Sequence, residues 1–354
     1  MKKDQNALPS QLCELLLAWY DRNQRVLPWR ENTDPYRVWV SEIMLQQTRV
    51  EAVIPYYERF LSTLPTIEDL ANADEQLLMK LWEGLGYYTR VRNLQKSARF
   101  ICEQYGGVFP PTFEQIRSLP GIGDYTAGAI SSIAFELPTP AVDGNVLRVL
   151  SRVTADDRNI DDAALKKEYT ERLRAIYPAA KRGDFTQSLM ELGAIVCLPN
   201  GEPKCSHCPL KSICQAHLQG REMELPVRTP KKSRKKQQMT VFLLKHGDNV
   251  ALCKRSSVGL LSGMWEFPNT DGFLTRQQAE EWLQQHGVMA ESLKSSGKAK
   301  HIFTHIEWDM KIWCAECSCL GEQFEIVTQQ QLNDQIALPT AFGQLVPFLQ
   351  KEKE

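Results

Sequence analysis

Four cysteines lie close together in the sequence and are the strongest candidates for a metal site. Cys197, Cys205, Cys208 and Cys214 have the spacing C-x7-C-x2-C-x5-C. Four thiolates in one short segment can bind a zinc ion or an iron–sulfur cluster. Zinc sites more often use two CxxC-type pairs, and only Cys205 and Cys208 form one here. The spacing favours one metal centre over four unrelated thiols but leaves the metal open.

A second group of cysteines, Cys314, Cys317 and Cys319, lies near the C-terminus. If this segment is a strand with alternating faces, Cys314 points away from the other two. We therefore expect a half-buried strand here rather than a second metal site.

A glycine-containing turn at residues 119–123 (LPGIG) could hold an anion. One helical segment ends near Arg117 and another begins near Asp124. Gly121 and Gly123 allow a tight turn and a close approach to a ligand, while the start of the following helix presents free N–H groups and the positive end of its dipole. An ordinary turn would also explain the glycines. The alternative is an anion site whose natural ligand is a DNA phosphate.

The first part of the chain, which carries the four-cysteine loop and the glycine turn, is predicted to be helical. Between about Pro9 and Leu218, apolar residues recur at helical spacing, and short connections rich in Pro, Gly and Asp separate the segments. Helices are predicted over residues 90–102, 124–135, 145–153, 163–176 and 184–196.

The character of the chain changes after residue 220. Residues 221–238 contain few apolar side chains and the run KKSRKK at 231–236, which predicts a solvated interdomain linker that can also lie against phosphates. A hairpin of strands over 240–245 and 250–254, a helix over 277–286, and strands over 301–307 and 310–320 then indicate a smaller α+β domain. The predicted division is 1–220, a linker over 221–238, and 239–354.

Composition excludes several classes of protein. The chain has 354 residues, 10 cysteines, 42 basic and 43 acidic residues, and a net charge of −1. Net charge argues neither for nor against a nucleic-acid partner, and the cysteines are too sparse for a disulfide scaffold. No apolar run approaches the roughly 20 residues of a membrane helix. We therefore expect a cytoplasmic protein.

Several motifs together resemble the helix-hairpin-helix DNA glycosylase superfamily. They are the LPGIG turn, VDGNV at 142–146 and the four-cysteine loop. LPWR at 27–30, WVSEIMLQQT at 39–48 and EGLGYY at 83–88 look more specifically like the adenine DNA glycosylases of the MutY type. The resemblance runs from about Leu12 to the C-terminus and is looser in the C-terminal half.

This resemblance implies a mainly α helix-hairpin-helix glycosylase domain with an iron–sulfur cluster loop, followed by a smaller α+β Nudix-like domain. It implies one [4Fe-4S] cluster, bound by the four cysteines. The implied function is base-excision repair: removal of adenine opposite 8-oxoguanine or guanine in double-stranded DNA. A monomer without membrane contact, associated with the nucleoid in a bacterial cytoplasm, is expected.

The resemblance also assigns the catalytic residues. Cleavage of a C1′–N bond needs an acid for the departing base and a negative charge near the sugar. By resemblance, Glu42 protonates adenine N7 and Asp143 is the carboxylate at the sugar, although Asp143 could also be a simple helix N-cap. Asn145 and Tyr125 match positions that orient these groups and the water.

Tyr125 also bears on the reaction type. The endonuclease III branch of the superfamily has a lysine at this position, which forms a Schiff base and cuts the strand. Tyrosine supplies no such amine. We therefore expect a monofunctional glycosylase that leaves an abasic site.

The remaining site residues are also assigned by resemblance. Because a reacting base must leave the duplex, Gln47 and Tyr87 are expected to wedge into the DNA. For Trp29, plain core packing is the alternative to a role in the site. The residues that match the adenine pocket are Arg25, Leu27, Trp29, Arg30 and Gln187.

The second domain is expected to read the lesion. LLSGMWEFP at 260–268 looks like a Nudix segment, and Phe303, Thr304 and His305 match a lesion-reading loop that is usually Phe-Ser-His. Threonine keeps the hydroxyl and adds a methyl group. Glutamines in 277–287 stand where most of the magnesium-binding carboxylates of a Nudix hydrolase would be, so pyrophosphate hydrolysis is not expected.

One further departure from the family pattern concerns the cysteine loop. The family usually has six residues between the first two cysteines, and this chain has seven, which a turn at Asn200 and Gly201 can absorb. Two alternative functions stay open: an endonuclease III-like glycosylase/lyase, and a catalytically silent DNA-binding metalloprotein of the same fold.

Overall fold

The chain forms two compact units in a computed structural model that describes residues 7–230 and 233–350. The helical unit consists of residues 7–72 and 92–230, and the sheet unit consists of residues 73–91 and 233–350. Among the described residues, no helix is both long and apolar enough to cross a membrane.

Within the described residues, twelve helices precede the first strand. The five helices predicted from apolar periodicity are confirmed, with ends within three residues of the prediction. Short 3-10 turns at Pro28–Arg30 and Cys205–His207 complete this part. The helices are α1 (Leu12–Asn23), α2 (Pro35–Leu45), α3 (Val50–Thr63), α4 (Ile67–Asn72), α5 (Glu75–Leu81), α6 (Thr89–Tyr105), α7 (Phe113–Ser118), α8 (Asp124–Phe135), α9 (Gly144–Thr154), α10 (Ala163–Ala175), α11 (Arg182–Ile195) and α12 (Gln215–Leu218).

One apolar core joins α1, α9, α10 and α11. Leu16, Leu150, Tyr169 and Phe185 contribute one side chain from each of these helices, and all four are fully buried. Burial of such large apolar side chains is the main force that holds the helices together. This core fixes α9 and α11 against each other, and both helices carry site residues.

The sheet unit contains seven strands. The sheet order is β3-β2-β1-β6-β5, with β4 paired to β1 and β7 paired to β2. β1 and β6 are parallel, whereas β5 and β6 form a long antiparallel hairpin. The elements are β1 (Lys235–His246), β2 (Asn249–Lys254), β3 (Trp265–Glu266), β4 (Asn269–Asp271), α13 (Arg276–Gln285), β5 (Met289–Ile302), β6 (Ile306–Cys319), β7 (Glu325–Thr328), α14 (Gln329–Asp334), α15 (Thr340–Gly343) and α16 (Val346–Gln350).

The strand predictions had mixed outcomes. The hairpin of β1 and β2 is confirmed, with His246 opposite Asn249, and Cys314 and Cys317 belong to separate cores on the two faces of the sheet, as alternation predicted. The predicted strand over 301–307 is wrong, because β5 ends at Ile302 and β6 begins at Ile306. Most of β5 is exposed and polar, so it gave no apolar alternation to recognise.

The predicted linker over 221–238 is shorter in the structure. Leu225 is buried and its carbonyl accepts a hydrogen bond from Arg152, while the Val227 carbonyl accepts one from the Ile160 N–H. At the other end, residues 235–238 already belong to β1. Lys231 and Lys232 of the basic run lie outside the described residues.

Residues 73–91 group with the sheet unit, which the sequence did not indicate. Lys80 Nζ donates to the Ile336 carbonyl at 3.0 Å, and the Glu83 carboxylate accepts the Leu338 N–H at 2.8 Å. These bonds span more than 250 positions of sequence, a separation that local patterns do not encode.

Candidate active site

A pocket of about 190 Å³ in the helical unit brings together the residues predicted for catalysis and adenine binding. It lies between the turn before α2, the body of α2, the starts of α8 and α9, and one face of α11. The predicted residues that line it are Arg25, Leu27, Trp29, Arg30, Glu42, Tyr125, Asp143, Asn145 and Gln187.

Glu42 lies on α2 among apolar neighbours and is 7% exposed. Burial, which disfavours the charged form, raises the pKa of Glu42 to about 7. Interaction with the Tyr125 hydroxyl, which donates to Met190 Sδ at 3.7 Å, and the charge of Arg30 oppose this increase, whereas the charge of Asp143 adds to it. A carboxyl group with this pKa can hold a proton near neutral pH and give it up.

Asp143 is both a helix cap and a pocket residue. Its Oδ1 accepts the backbone N–H groups of Asn145 at 2.9 Å and Val146 at 2.8 Å, and its Oδ2 accepts Asn145 Nδ2 at 2.9 Å. Burial raises the pKa of Asp143, and these hydrogen bonds together with the charge of Arg148 oppose that increase. The two interpretations of Asp143 are therefore compatible, since capping orients the carboxylate that faces the pocket.

A chain of hydrogen bonds continues from Asp143 to the cysteine loop. Arg148 donates from Nη2 to Asn145 Oδ1 and to the Gly193 carbonyl, both at 2.8 Å, and from Nε to the Cys197 carbonyl at 2.9 Å. Gly193 allows α11 to approach closely, because a Cβ there would lie 2.7 Å from Cβ of Asn145. The orientation of Asn145 is thus set from two sides.

Glu191 is a pocket residue that none of the sequence motifs indicates. It lies on α11, its side chain is 1% exposed, and it forms ion pairs with Arg25 at 2.8 Å and Arg30 at 2.9 Å. Burial alone would raise the pKa of Glu191, but hydrogen bonds from the two arginines hold it at about 2. A lone carboxylate in the apolar stretch 189–195 was the available signal.

Trp29 contributes both to packing and to the pocket. It is 8% exposed and packs edge-to-face on Tyr57, with ring centroids 5.4 Å apart, while it also lines the cavity. Aromatic pairs favour this geometry, which contributes about 0.5–1.5 kcal/mol beyond the burial of their area. The core alternative and the pocket assignment therefore describe the same side chain.

The two predicted wedge residues share a backbone feature. Gln47 of the helical unit has φ +59°, and Tyr87 of the sheet unit has φ +49°. Residues other than glycine rarely adopt this left-handed backbone region, and such strain is concentrated at functional sites. Tyr87 is 46% exposed, and Arg90 lies 5.6 Å from its ring centroid.

The predicted anion turn connects α7 to α8. Gly121 has φ +78°, and a Cβ there would lie 2.7 Å from Asn93, so both the backbone conformation and the space require glycine. Gly123 is the N-cap residue of α8 and brings no side chain to the helix start. The N-terminal end of α8 therefore has no side-chain cap, and its first residue, Asp124, pairs with Arg117.

The predicted lesion-reading residues form the turn between β5 and β6. Phe303 packs edge-to-face on Trp308 at 4.8 Å, and its carbonyl accepts a hydrogen bond from Arg234. Thr304 and His305 are exposed. The Thr304 hydroxyl lies 2.5 Å from the Tyr87 hydroxyl, so a predicted wedge residue and a predicted lesion-reading residue are hydrogen bonded within the sheet unit.

The four predicted metal ligands line one cavity of the helical unit, and none of them forms a disulfide. Arg152, which is 5% exposed, donates to Cys197 Sγ at 3.2 Å, and Lys211 lines the same cavity. Gly201 takes φ +71° in the seven-residue loop. Four sulfur atoms beside Arg152 and Lys211 fit a metal–thiolate centre, because these cations offset the charge of the thiolates and of Glu222, which also lines the cavity.

Two sequence families match this chain. Residues 40–175 match the HhH-GPD superfamily of base excision DNA repair proteins, and residues 240–347 match the NUDIX domain. Among solved structures, a thermostable thymine-DNA glycosylase is 29% identical, with a TM-score of 0.53 over 58% of this chain and 95% of its own.

Individual relatives match over most of the chain. The adenine DNA glycosylase of Rattus norvegicus is 37% identical over 84% of this chain and 69% of its own length. That of Buchnera aphidicola subsp. Baizongia pistaciae (strain Bp) is 33% identical over 96% of both chains. With a HhH-GPD match in its helical part and a NUDIX match in its sheet part, this chain belongs to the adenine DNA glycosylase family, within the HhH-GPD superfamily of base excision DNA repair proteins.

Proposed function

We propose that this protein removes adenine opposite 8-oxoguanine or guanine in double-stranded DNA by hydrolysis of the N-glycosidic bond. The observation that carries the proposal is the pair of carboxyl groups in one pocket with different surroundings. Burial raises the pKa of Glu42 to about 7, while Asp143 is held by three hydrogen bonds of the kind that stabilise a carboxylate. Such a pair can divide the acid and anion roles.

The reaction needs a proton for the departing base and a negative charge next to the sugar. Protonated Glu42 donates its proton to N7 of adenine, which makes the base a better leaving group. As the C1′–N bond breaks, positive charge develops on the sugar, and the Asp143 carboxylate stabilises it. Asn145 fixes the orientation of Asp143, and Tyr125 holds the Glu42 carboxyl. Water completes the hydrolysis and leaves an abasic site.

A monofunctional reaction is favoured over a glycosylase/lyase. A lyase needs an amine that attacks C1′, and none of the described residues that line the pocket is a lysine. Tyr125 occupies the position at which the resemblance would place that lysine. We therefore assign excision without strand cleavage.

Four groups of residues handle the DNA in this proposal. Gly121 and Gly123 place the start of α8 against a backbone phosphate, and Gln47 and Tyr87 fill the space that the extruded adenine leaves. The lesion is read by the turn at 303–305, where the Thr304 hydroxyl can address the N7–H donor or O8 acceptor that 8-oxoguanine presents. The adenine pocket is formed by Arg25, Leu27, Trp29, Arg30 and Gln187.

We assign the cysteine cavity to one [4Fe-4S] cluster held by Cys197, Cys205, Cys208 and Cys214. When bound, it supplies a covalent tie across the loop and a centre that can exchange an electron. In the same proposal, the protein is a monomer that acts on chromosomal DNA in a bacterial cytoplasm.

Single-turnover cleavage of one duplex with adenine opposite 8-oxoguanine tests the proposal, with each time point read with and without alkali. We expect breaks only after alkali, no excision by Glu42→Gln, and unchanged duplex binding by that variant. Glu171→Gln, on the exposed face of α10, is the matched control and should keep wild-type activity. Breaks without alkali would mean a lyase. Tight binding without excision by the wild-type protein would favour the silent DNA-binding alternative.

A further inference from the structure

Glu191 lies at the centre of a hydrogen-bond network in the pocket wall. Its Oε1 accepts the Arg25 N–H at 3.0 Å and Arg25 Nε at 2.8 Å, and its Oε2 accepts Arg25 Nη2 and Arg30 Nη2, both at 2.9 Å. Arg30 in turn donates to the Arg25 carbonyl at 3.0 Å and to Gln187 Oε1 at 3.1 Å. One buried carboxylate therefore holds two arginines and, through Arg30, the side chain of Gln187.

We propose that Glu191 is a positioning residue that fixes Arg25 and Arg30 in the adenine pocket and balances their charge beside Glu42. This inference rests on the proposed function, in which Glu42 is the acid. It assigns Glu191 two effects, one on geometry and one on charge, and the two can be measured separately.

The geometric effect concerns which hydrogen-bonding groups of the pocket are directed towards the base. Arg30 occupies the carbonyl oxygen of the Gln187 amide, so the NH2 end is the part left for an acceptor such as a ring nitrogen of adenine. Arg25 and Arg30 have long side chains with high rotamer entropy, and their hydrogen bonds to the two oxygens of the Glu191 carboxylate remove most of that freedom. Without Glu191, the two arginine side chains in the pocket wall would be mobile.

The charge effect concerns the proton on Glu42. The charged and titratable groups that face Glu42 are Tyr125 from α8, Asp143 from the start of α9 and Arg30 from the Pro28–Arg30 turn. On α3, Glu51 reaches Arg25 at 3.8 Å. Arg30 favours the ionised form of Glu42, and a carboxylate bound directly to Arg30 offsets that influence.

The test is the pH dependence of single-turnover adenine excision. In Glu191→Gln, Arg30 is no longer neutralised, so Glu42 loses its proton more easily. The alkaline midpoint, which is the pH at which the excision rate has fallen to half of its plateau, therefore moves to lower pH. An added net charge within about 10 Å shifts a pKa by about one unit in a partly screened pocket, so the excision rate above the midpoint should fall about tenfold. Glu191→Asp keeps the charge and should keep the midpoint, with a lower rate at every pH.

Two further variants make the test independent of the stability of Glu191→Gln. Arg30→Gln should move the midpoint upward, and Glu191→Gln combined with Arg30→Gln should return it towards the wild-type value. Circular dichroism and thermal melts identify any variant that fails to fold. A midpoint that stays fixed in folded Glu191→Gln, or in Arg30→Gln, would overturn the charge assignment, as would an equal loss of rate at all pH values. If the wild-type protein excises no adenine at all, the proposed function fails instead.

Discussion

The Tyr125 hydroxyl, which lines the pocket with Glu42, makes a quantitative prediction about the acid. It donates to Met190 Sδ at 3.7 Å, and its interaction with Glu42 lowers the pKa of Glu42 and so opposes the effect of burial. Tyr125→Phe removes the hydroxyl and leaves the carboxyl just as buried, so the pKa of Glu42 should rise above its value of about 7. The variant should therefore keep its proton to higher pH than the wild-type enzyme.

The size of the shift follows from the strength of the lost bond. A hydrogen bond to a charged group contributes about 1.5–3 kcal/mol, and one pKa unit corresponds to about 1.4 kcal/mol. The alkaline midpoint of the excision rate should therefore move up by about one to two pH units. At a pH well above both midpoints, the variant should retain at least about tenfold more of its own plateau rate than the wild-type enzyme retains.

The assay is single-turnover excision of adenine opposite 8-oxoguanine across a pH series, with the rate at each pH divided by the plateau rate of the same variant. Tyr169→Phe is a control, because Tyr169 is a fully buried tyrosine of the same unit whose hydroxyl bonds to Thr154 and Asp156 outside the pocket. That control should keep the wild-type midpoint. An unchanged or lower midpoint in Tyr125→Phe would refute the assignment of the alkaline limb to Glu42.

Two further predictions concern the cluster cavity and the lesion-reading turn. Arg152→Met removes the donor to Cys197 Sγ and to the carbonyls of Leu198 and Leu225. We therefore expect a lower iron content and a loss of about 3 kcal/mol in unfolding free energy. Metal analysis and a denaturant titration measure these two quantities, and a variant with full iron content and normal stability would contradict this role of Arg152. Thr304→Val removes the hydroxyl next to Tyr87 and should reduce the preference for 8-oxoguanine over guanine about tenfold. Thr304→Ser keeps the hydroxyl and should keep this preference. Competition binding measures the preference, and equal values in the two variants would exclude the hydroxyl from lesion reading.

The hydrogen bonds from Asp143 through Asn145 and Arg148 give the cysteine loop a physical connection to the pocket. Each link is a side chain held at both ends, and Arg148 is buried and bonded to Asn145 and the Cys197 carbonyl. The loop is therefore connected to the side chain of Asn145 through Arg148. In this arrangement, loop geometry and carboxylate geometry are not independent.

Local features of the chain were predictable from sequence because they depend on neighbours in sequence. The helix periods of α8 and α9 are set by side chains three or four positions apart. The cysteine spacing places four sulfur atoms in one loop, and Gly121 marks a turn that other residues cannot adopt without strain. The alternation in β6 likewise separated Cys314 from Cys317.

Glu42 and Asp143 could be recognised as site residues only through the resemblance to a family. As isolated residues, one is a glutamate in an apolar helix and the other an ordinary N-cap. Their common pocket depends on the packing of α2 against α8 and of α9 against α11. The pKa of Glu42 then follows from burial, a property that the sequence around it does not specify.

The helical and mixed parts of the chain, the cysteine loop, the glycine turn and the family motifs are encoded within short segments and can be recognised from the residues alone. Three features need the folded chain: residues 73–91 group with the sheet unit, β5 is a strand, and Glu191 binds Arg25 across 166 positions of sequence. All three have one cause. Charged and polar side chains have no intrinsic preference among distant partners, so their roles are fixed only when apolar burial has brought those partners within hydrogen-bonding distance.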